Sequence, residues 1–290
     1  MNTGNPAGID MATTAESLRE SGLGPMATGE FALKAAVRLW FTVAVAGQLF
    51  FAAHIVSFYG RSALAGDFAH WNKVLARGFV PGDYFGNAAL VVHLAMAALI
   101  TLGGPLQLIP QIRTHFPAFH RWTGRAYLVV AVLASTSALY LSLVRRGVPG
   151  GALQHATVDL NAVLILIFAA LALRYALARQ FAVHRRWAIR LFLAVSGVWF
   201  FRVGLFFWIL INHGPVGFNP DTFEGPAIII VGFAQYLLPL TVFEIYWRTQ
   251  QRAGAGGRFA MAATLAVLTV AMGIGIFAHA MFAIASGSAF

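Results

Sequence analysis

Long apolar stretches alternate with short polar segments along most of the chain. Each stretch has about 20 residues or more, the length that an α-helix needs to cross a bilayer core of about 30 Å. An isolated span must be a helix, because a helix satisfies its own backbone hydrogen bonds in lipid. The pattern therefore predicts seven membrane-spanning helices, at residues 39–59, 88–110, 120–143, 153–178, 187–211, 227–247 and 260–285.

The composition supports this interpretation. The chain is 59% hydrophobic and 10% charged, whereas soluble domains have about 25% charged residues. So few polar groups could not cover the surface of a soluble globule. We expect an all-α integral membrane protein with seven transmembrane helices, in which spans 2–5 form a central four-helix core.

The amino-terminal segment differs from the rest of the chain. Residues 1–33 contain Gly, Ser, Thr and charges of both signs, with no apolar run and no basic start. This is neither a secretory signal nor a span, and we predict a disordered cytoplasmic tail. Residues 34–290 are predicted to form one seven-helix membrane domain.

The distribution of basic residues predicts the orientation of the chain. With a cytoplasmic amino terminus, 13 Lys and Arg residues fall on the inner side and 5 on the outer side, as the positive-inside rule requires. The carboxyl terminus is then outside, in the inner (plasma) membrane of a bacterium. The net charge of +10 is a topology signal rather than a nucleic-acid signal. Membrane lipids with anionic head groups are the expected partners of the inner arginines.

The absence of cysteine limits the cofactors. With no Cys, the chain has no disulfides, thiolate metal sites, iron–sulfur clusters or covalently attached c-type haem. Any cofactor must use histidine, methionine or oxygen ligands, or bind without coordination.

A short motif occurs twice, each time where a span begins. Residues 120–125 read His-Arg-Trp-Thr-Gly-Arg, and residues 184–190 read His-Arg-Arg-Trp-Ala-Ile-Arg, so both copies contain Trp-x-x-Arg. An earlier histidine stands in the span before each copy, namely His93 and His155.

These segments resemble a family of bacterial membrane proteins, the domain-of-unknown-function family 2306. The residues that carry the resemblance span about 90–205 and include Arg202. They are Gly104-Pro105-x-Gln107-x-x-Pro110, Arg113, Pro117, His120-Arg121-Trp122-x-Gly124-Arg125-x-Tyr127 and His184-Arg185-Arg186-Trp187-x-x-Arg190. The resemblance implies a membrane domain and no particular activity.

Four histidines on four consecutive spans form an arrangement that could hold haem b. His93 could pair with His155 near the outer face and His120 with His184 near the inner face, while His54 is an alternative outer ligand for His93. The arrangement is similar in outline to the ascorbate-type b cytochromes, which hold two haems across a four-helix core. The alternative is structural, since Trp and Arg at a membrane boundary are common anchors whose neighbouring histidines bond to backbone or phosphate.

Two opposite charges lie within neighbouring spans. Arg202 is in the fifth span and Asp159 in the fourth. An arginine within a span costs at least about 2.5–3.5 kcal/mol unless compensated, so we expect a buried ion pair. Arg202 could instead bind a haem propionate or an anionic substrate.

Two functions compete. The first is a b-type haem protein that transfers electrons across or within the membrane, a membrane oxidoreductase if it is an enzyme, with a quinone or an anionic reductant as partner. The second is a haem-free carrier of a small solute or an accessory subunit of a membrane complex. No residue is predicted to be catalytic, because hydrolase motifs such as His-Glu-x-x-His are absent from the sequence.

Overall fold

The computed structural model describes residues 25–75, 77–147 and 149–285. These residues form ten α-helices joined by loops. In chain order the helices are α1 Pro25–Ile55, α2 Arg61–Leu64, α3 Tyr84–Leu108, α4 Pro110–His115, α5 Pro117–Leu139, α6 Ala152–Leu177, α7 Phe181–Val195, α8 Gly197–Ile211, α9 Pro226–Arg252 and α10 Ala255–Ala285. Two π-helical segments, Val56–Gly60 and Tyr140–Val144, extend α1 and α5.

Six of the helices in the described ranges are long and apolar enough to cross a membrane, and α7 with α8 makes a seventh if this bent pair is one span. Their outward faces carry large apolar side chains, such as Leu99, Val129 and Val270, that are more than half exposed. Lipid rather than water suits such a surface. The predicted fold class, an all-α integral membrane protein, is confirmed.

The helices pack in a closed arrangement. Helix α1 lies along α10 and α3, α3 along α5, α5 along α6, α6 along α7, and α8 along α10, while α9 packs against α6, α7 and α8. Helices α1 and α10 run parallel, because Glu30 contacts Arg258 near their first turns and His54 contacts His279 near their last turns. We call the side on which α1 begins the amino-terminal face, and the other side the opposite face.

A four-helix core joins the second to fifth spans. One continuous cluster of buried side chains draws on α3, α5, α6 and α7, including Ile100, Ala131, Phe168 and Leu191. Ala131 and Ala194 in this cluster are fully buried, which allows close approach of the helices. These four helices share the central core that is predicted for spans 2–5.

Helix α1 begins earlier than the sequence pattern indicated. It starts at Pro25, so residues 25–33 of the predicted tail are helical, and residues 1–24 lie outside the described residues. Glu30 explains part of the extension, since its carboxylate pairs with Lys34 at 2.7 Å on the same helix and with Arg258 at 3.4 Å on α10. Leu33 is also buried against α10.

Proline positions define two helix starts. Pro110 and Pro117 open α4 and α5, where the missing N–H would have no intrahelical partner. Pro105 lies inside α3, which nevertheless continues to Leu108 before Ile109 becomes extended. The third span, predicted at residues 120–143, begins three residues earlier, at Pro117.

An ion pair at the opposite face joins the start of α3 to the segment that follows α5. Arg145 Nε donates to Asp83 Oδ2 at 2.9 Å, and its Nη2 donates to Asn87 Oδ1 at 2.8 Å. The Arg145 side chain is only 5% exposed, so this charge is committed to the fold and not to the solvent.

Replacing Gly275 with alanine should destabilise the protein. A Cβ at this position would collide with the backbone carbonyl oxygen of Val203 and lie 2.8 Å from Val203 Cγ1, which forces α8 and α10 apart. We expect a loss of about 1–3 kcal/mol, measured as a lower thermal unfolding midpoint in detergent. Gly273→Ala is the matched control, because a Cβ there meets nothing within 4 Å. Equal midpoints for the two variants would contradict the close packing of α8 on α10.

Candidate functional site

The fifth span is bent by 50° at Ser196, which separates α7 from α8. Ser196 Oγ donates to the carbonyl of Phe192 at 2.8 Å, a bond that tends to bend helices. From α1, Gln48 Nε2 donates to Ser196 Oγ at 2.9 Å. The bend is therefore held by a side chain of another span as well as by its own sequence.

Polar side chains of two further helices meet the bend. Asn161 of α6 donates from Nδ2 to the carbonyl of Ala194 at 3.1 Å. At Gly197 a Cβ would lie 2.6 Å from Asn161 Nδ2 and 3.5 Å from Gln235 Oε1 of α9. Glycine at this position lets both amides approach the backbone where the helix breaks.

The amides around the bend retain unused acceptors. Gln48 Oε1 and Asn161 Oδ1 are buried and receive no hydrogen bond from the described residues, and Gln154 Oε1, on α6 two turns before Asn161, is in the same state. Side-chain amides are costly to bury without full hydrogen bonding. Polar groups of this kind within a span are typical of a functional region.

Arg202 lies on α8, beyond the bend toward the opposite face. Its guanidinium carbon is 5.1 Å from the ring centre of Phe51 on α1. The ring centre of Phe51 is in turn 6.2 Å from that of His279, and Phe51 belongs to the same buried cluster as Tyr59. The Tyr59 hydroxyl is buried and has no hydrogen-bond partner among the described residues. The surroundings of Arg202 are thus aromatic, with several groups that can donate hydrogen bonds.

His54 and His279 form a buried pair next to this arginine. Their ring centres are 5.7 Å apart and the rings meet edge to face. They are 6% and 5% exposed. Phe206 stacks on His279 at 4.8 Å, and Phe58 stacks on His54 at 6.0 Å. Aromatic rings therefore cover the faces of both imidazoles.

The other two histidines of the opposite half lie on separate helices. His93 Nδ1 is 3.1 Å from the carbonyl oxygen of Ala134 and 3.3 Å from Ser137 Oγ, so it joins α3 to α5. His155 is half-buried in the first turn of α6.

His120 and His184 lie together on the amino-terminal face. His184 Nδ1 is 2.9 Å from the carbonyl oxygen of Ala172 at the end of the preceding helix. His120 is close to His184 and to Arg113. The structure thus brings these two predicted residues into one neighbourhood.

The repeated Trp-x-x-Arg motif is also a structural repeat. The Arg125 guanidinium lies 4.9 Å from the ring centre of Trp122, and Arg190 lies 4.4 Å from that of Trp187. In the second copy the arginine also pairs with Glu244 of α9 at 2.6 Å. Trp122 is 69% exposed, so the first copy faces outward and the second is built into the bundle.

A family of predicted membrane proteins, DUF2306, matches residues 90–247 of the chain. The chain belongs to this family. No curated protein and no solved structure matches it. The DUF2306 region contains the bend, Arg202, and both copies of Trp-x-x-Arg. It does not contain His54 or His279, which come from the helices that flank this region.

The prediction of haem b is wrong. Within the part of the chain that the structure describes, no three His, Asp or Glu side chains are placed where they could hold a metal ion. The proposed outer ligands lie on α3, which packs mainly on α1 and α5, and on α6, which packs mainly on α5, α7 and α9. Counting residues along each span placed these histidines at a common depth but could not show which helices are neighbours.

The structure does not bring Asp159 and Arg202 together. None of the ion pairs in the described ranges includes either residue, and Arg202 is placed over Phe51 instead. The reason is again helix order, because α8 packs mainly on α10 and α9 rather than on α6. Arg202 is left without an acidic partner among the described residues.

The sequence pattern does not single out three residues near the bend. They are Asn161 and Gln235, within the DUF2306 region, and Gln48, on α1 outside it. Each is 2–6% exposed and each lies in an otherwise apolar stretch. An uncharged amide within a span is a weaker signal than a charge, but it carries the same cost of burial. The Ser196-Gly197 pair at the middle of the fifth span was the other feature of the sequence that could have indicated the bend.

Proposed function

We propose that the protein is a membrane carrier of a small organic anion, with Arg202 as the residue that holds the anion. The observation that carries this proposal is an arginine within a span that has no acidic partner among the described residues. An uncompensated arginine at such a depth is costly. A bound carboxylate would supply the missing countercharge.

The surroundings of Arg202 support a carboxylate with a small apolar body. The planar guanidinium can donate two parallel hydrogen bonds to one carboxylate. The buried hydroxyl of Tyr59 can donate a third. Phe51 and Phe206 supply apolar surface nearby, which favours a short-chain carboxylate over a strongly hydrated inorganic ion.

The bent fifth span supports a role in movement. Its first half, α7, packs into the four-helix core, whereas its second half, α8, packs on α10. Bending at Ser196 would therefore move Arg202 relative to the core. Discontinuous helices line the solute sites of many carriers for this reason.

We also propose that the amino-terminal face is cytoplasmic and that the chain lies in the bacterial inner membrane. The excess of Lys and Arg on that face, 13 against 5, supports this orientation.

The orientation predicts the behaviour of a fusion at the carboxyl end. Alkaline phosphatase joined after Ala285 should be active in cells, because it folds only outside the cytoplasm. The same enzyme joined after Arg252, where α9 ends on the amino-terminal face, should be inactive. The reverse pattern would contradict the orientation.

Replacing Arg202 with glutamine should abolish carboxylate uptake. Proteoliposomes containing the full chain would be supplied with radiolabelled acetate and succinate, and the initial rates compared with those of empty liposomes. Loss of the charge-assisted hydrogen bonds should lower the rate about tenfold or more. Arg202→Lys should retain part of the activity, since it keeps the charge but loses the planar geometry.

The matched control for this experiment is Arg61→Gln. It removes one positive charge from the same half of the protein, at an exposed position on α2. Its uptake rate should equal that of the unaltered protein. Uptake that is unchanged in Arg202→Gln, or that is lowered equally by both variants, would refute the role of Arg202.

A further inference from the structure

A small cavity opens beside α7 on the amino-terminal face. Its volume is about 110 Å³, and it is lined by Val183, Arg186, Trp187 and Arg190. The cavity lies in the second copy of the repeated motif. From its lining we propose that it binds a phosphate group, with Arg186 as the residue that donates to it.

Arg190 forms a fixed wall of the cavity. Its Nε and Nη2 donate to Glu244 Oε1 at 2.8 and 2.6 Å. Its guanidinium carbon also lies 4.4 Å from the ring centre of Trp187 and 5.7 Å from that of Phe243. The carboxylate neutralises the charge of Arg190, so this residue shapes the cavity without being the source of its positive charge.

Arg186 is the charge that remains. Its guanidinium carbon lies 4.9 Å from the ring centre of Trp247 on α9, and none of the ion pairs in the described ranges includes it. Its Nε is buried and donates to no acceptor among the described residues, and the same holds for the indole Nε1 of Trp247, which does not line the cavity. Arg186 therefore brings to the cavity a positive charge that has no acidic partner among the described residues.

The size of the cavity limits the ligand. A volume of about 110 Å³ is well below the roughly 300–1,000 Å³ of sites for drug-sized molecules, but it exceeds the roughly 30 Å³ share of a single water molecule. A phosphate group fits this range, and its several oxygens can accept more than one hydrogen bond from the guanidinium.

The phosphate could belong to a lipid head group or to a soluble phosphate compound. The place of the cavity, at the end of a spanning helix, is where lipid phosphates meet basic residues. This inference is independent of the carrier proposal. Arg186 and Arg202 are 16 residues apart (202 − 186), or about 24 Å along a straight helix, and they lie in different halves of the bent span.

Two binding measurements on the detergent-purified full chain separate the two sources. Native mass spectrometry would compare retention of phosphatidylglycerol with that of phosphatidylcholine. Thermal unfolding would compare inorganic phosphate with chloride at equal ionic strength. We expect Arg186→Gln to reduce binding of the preferred probe about tenfold, the loss expected for a charge-assisted hydrogen bond.

Arg185→Gln is the matched control. It removes the adjacent charge on the same turn of α7, which is exposed and does not line the cavity. Its binding should equal that of the unaltered protein. Loss of phosphatidylglycerol retention in Arg186→Gln alone identifies a lipid phosphate, and loss of the response to inorganic phosphate alone identifies a soluble one.

The proposal is overturned if neither probe binds the unaltered protein, or if Arg186→Gln and Arg185→Gln behave alike with both probes. If the glutamine variant does not purify, Arg186→Lys replaces it in the same binding measurements. It keeps the charge but cannot donate in the planar geometry of a guanidinium. Binding of the preferred probe should fall in this variant, and unchanged binding would overturn the role of the guanidinium.

Discussion

The structure depends on one constraint, that a backbone polar group inside a membrane must find a partner within the protein. A continuous helix meets this constraint by itself, whereas the bent fifth span needs hydrogen bonds from side chains of other helices. At its bend, Asn161 donates to the Ala194 carbonyl and Gln48 donates to Ser196. These bonds tie α1 and α6 to the middle of the fifth span. They also bring polar side chains into the buried interior of the bundle.

The fold was largely predictable because its main determinants are local. Apolar length predicts a span, and proline at the first position predicts a helix start such as Pro117. The bend at Ser196 was not predicted, since the fifth span has the apolar length of one continuous helix. The early start of α1 at Pro25 was also missed. It depends on the contact between Glu30 and Arg258, which are distant in the sequence.

The candidate site was less predictable because it depends on which helices are neighbours. Arg202 is recognisable in the sequence as an unusual charge, but its expected partner Asp159 lies on α6, which packs mainly on α5, α7 and α9. The observed neighbour of Arg202 is Phe51, from the first helix. Likewise, the contact between His54 and His279 depends on the parallel packing of α1 and α10, helices from the two ends of the chain.

Arg202 and Arg186 carry both proposals, and neither has an acidic partner among the described residues. Arg202 lies within the bilayer among aromatic rings, and Arg186 lies at the amino-terminal face beside a small cavity. Both are held by a stack on an aromatic ring from another helix. Such a stack orients a guanidinium while leaving its N–H groups able to donate to an anion.

The most direct test of the account is the distance between a carboxylate and the guanidinium of Arg202. Solid-state NMR on the reconstituted protein, with ¹⁵N-labelled arginine and acetate labelled with ¹³C at the carboxyl carbon, measures this distance. The account predicts a separation of about 4 Å or less, as in a hydrogen-bonded pair. The signal should vanish in Arg202→Gln and persist in Arg61→Gln. No close contact in the unaltered protein, or a contact that survives in Arg202→Gln, would contradict the account.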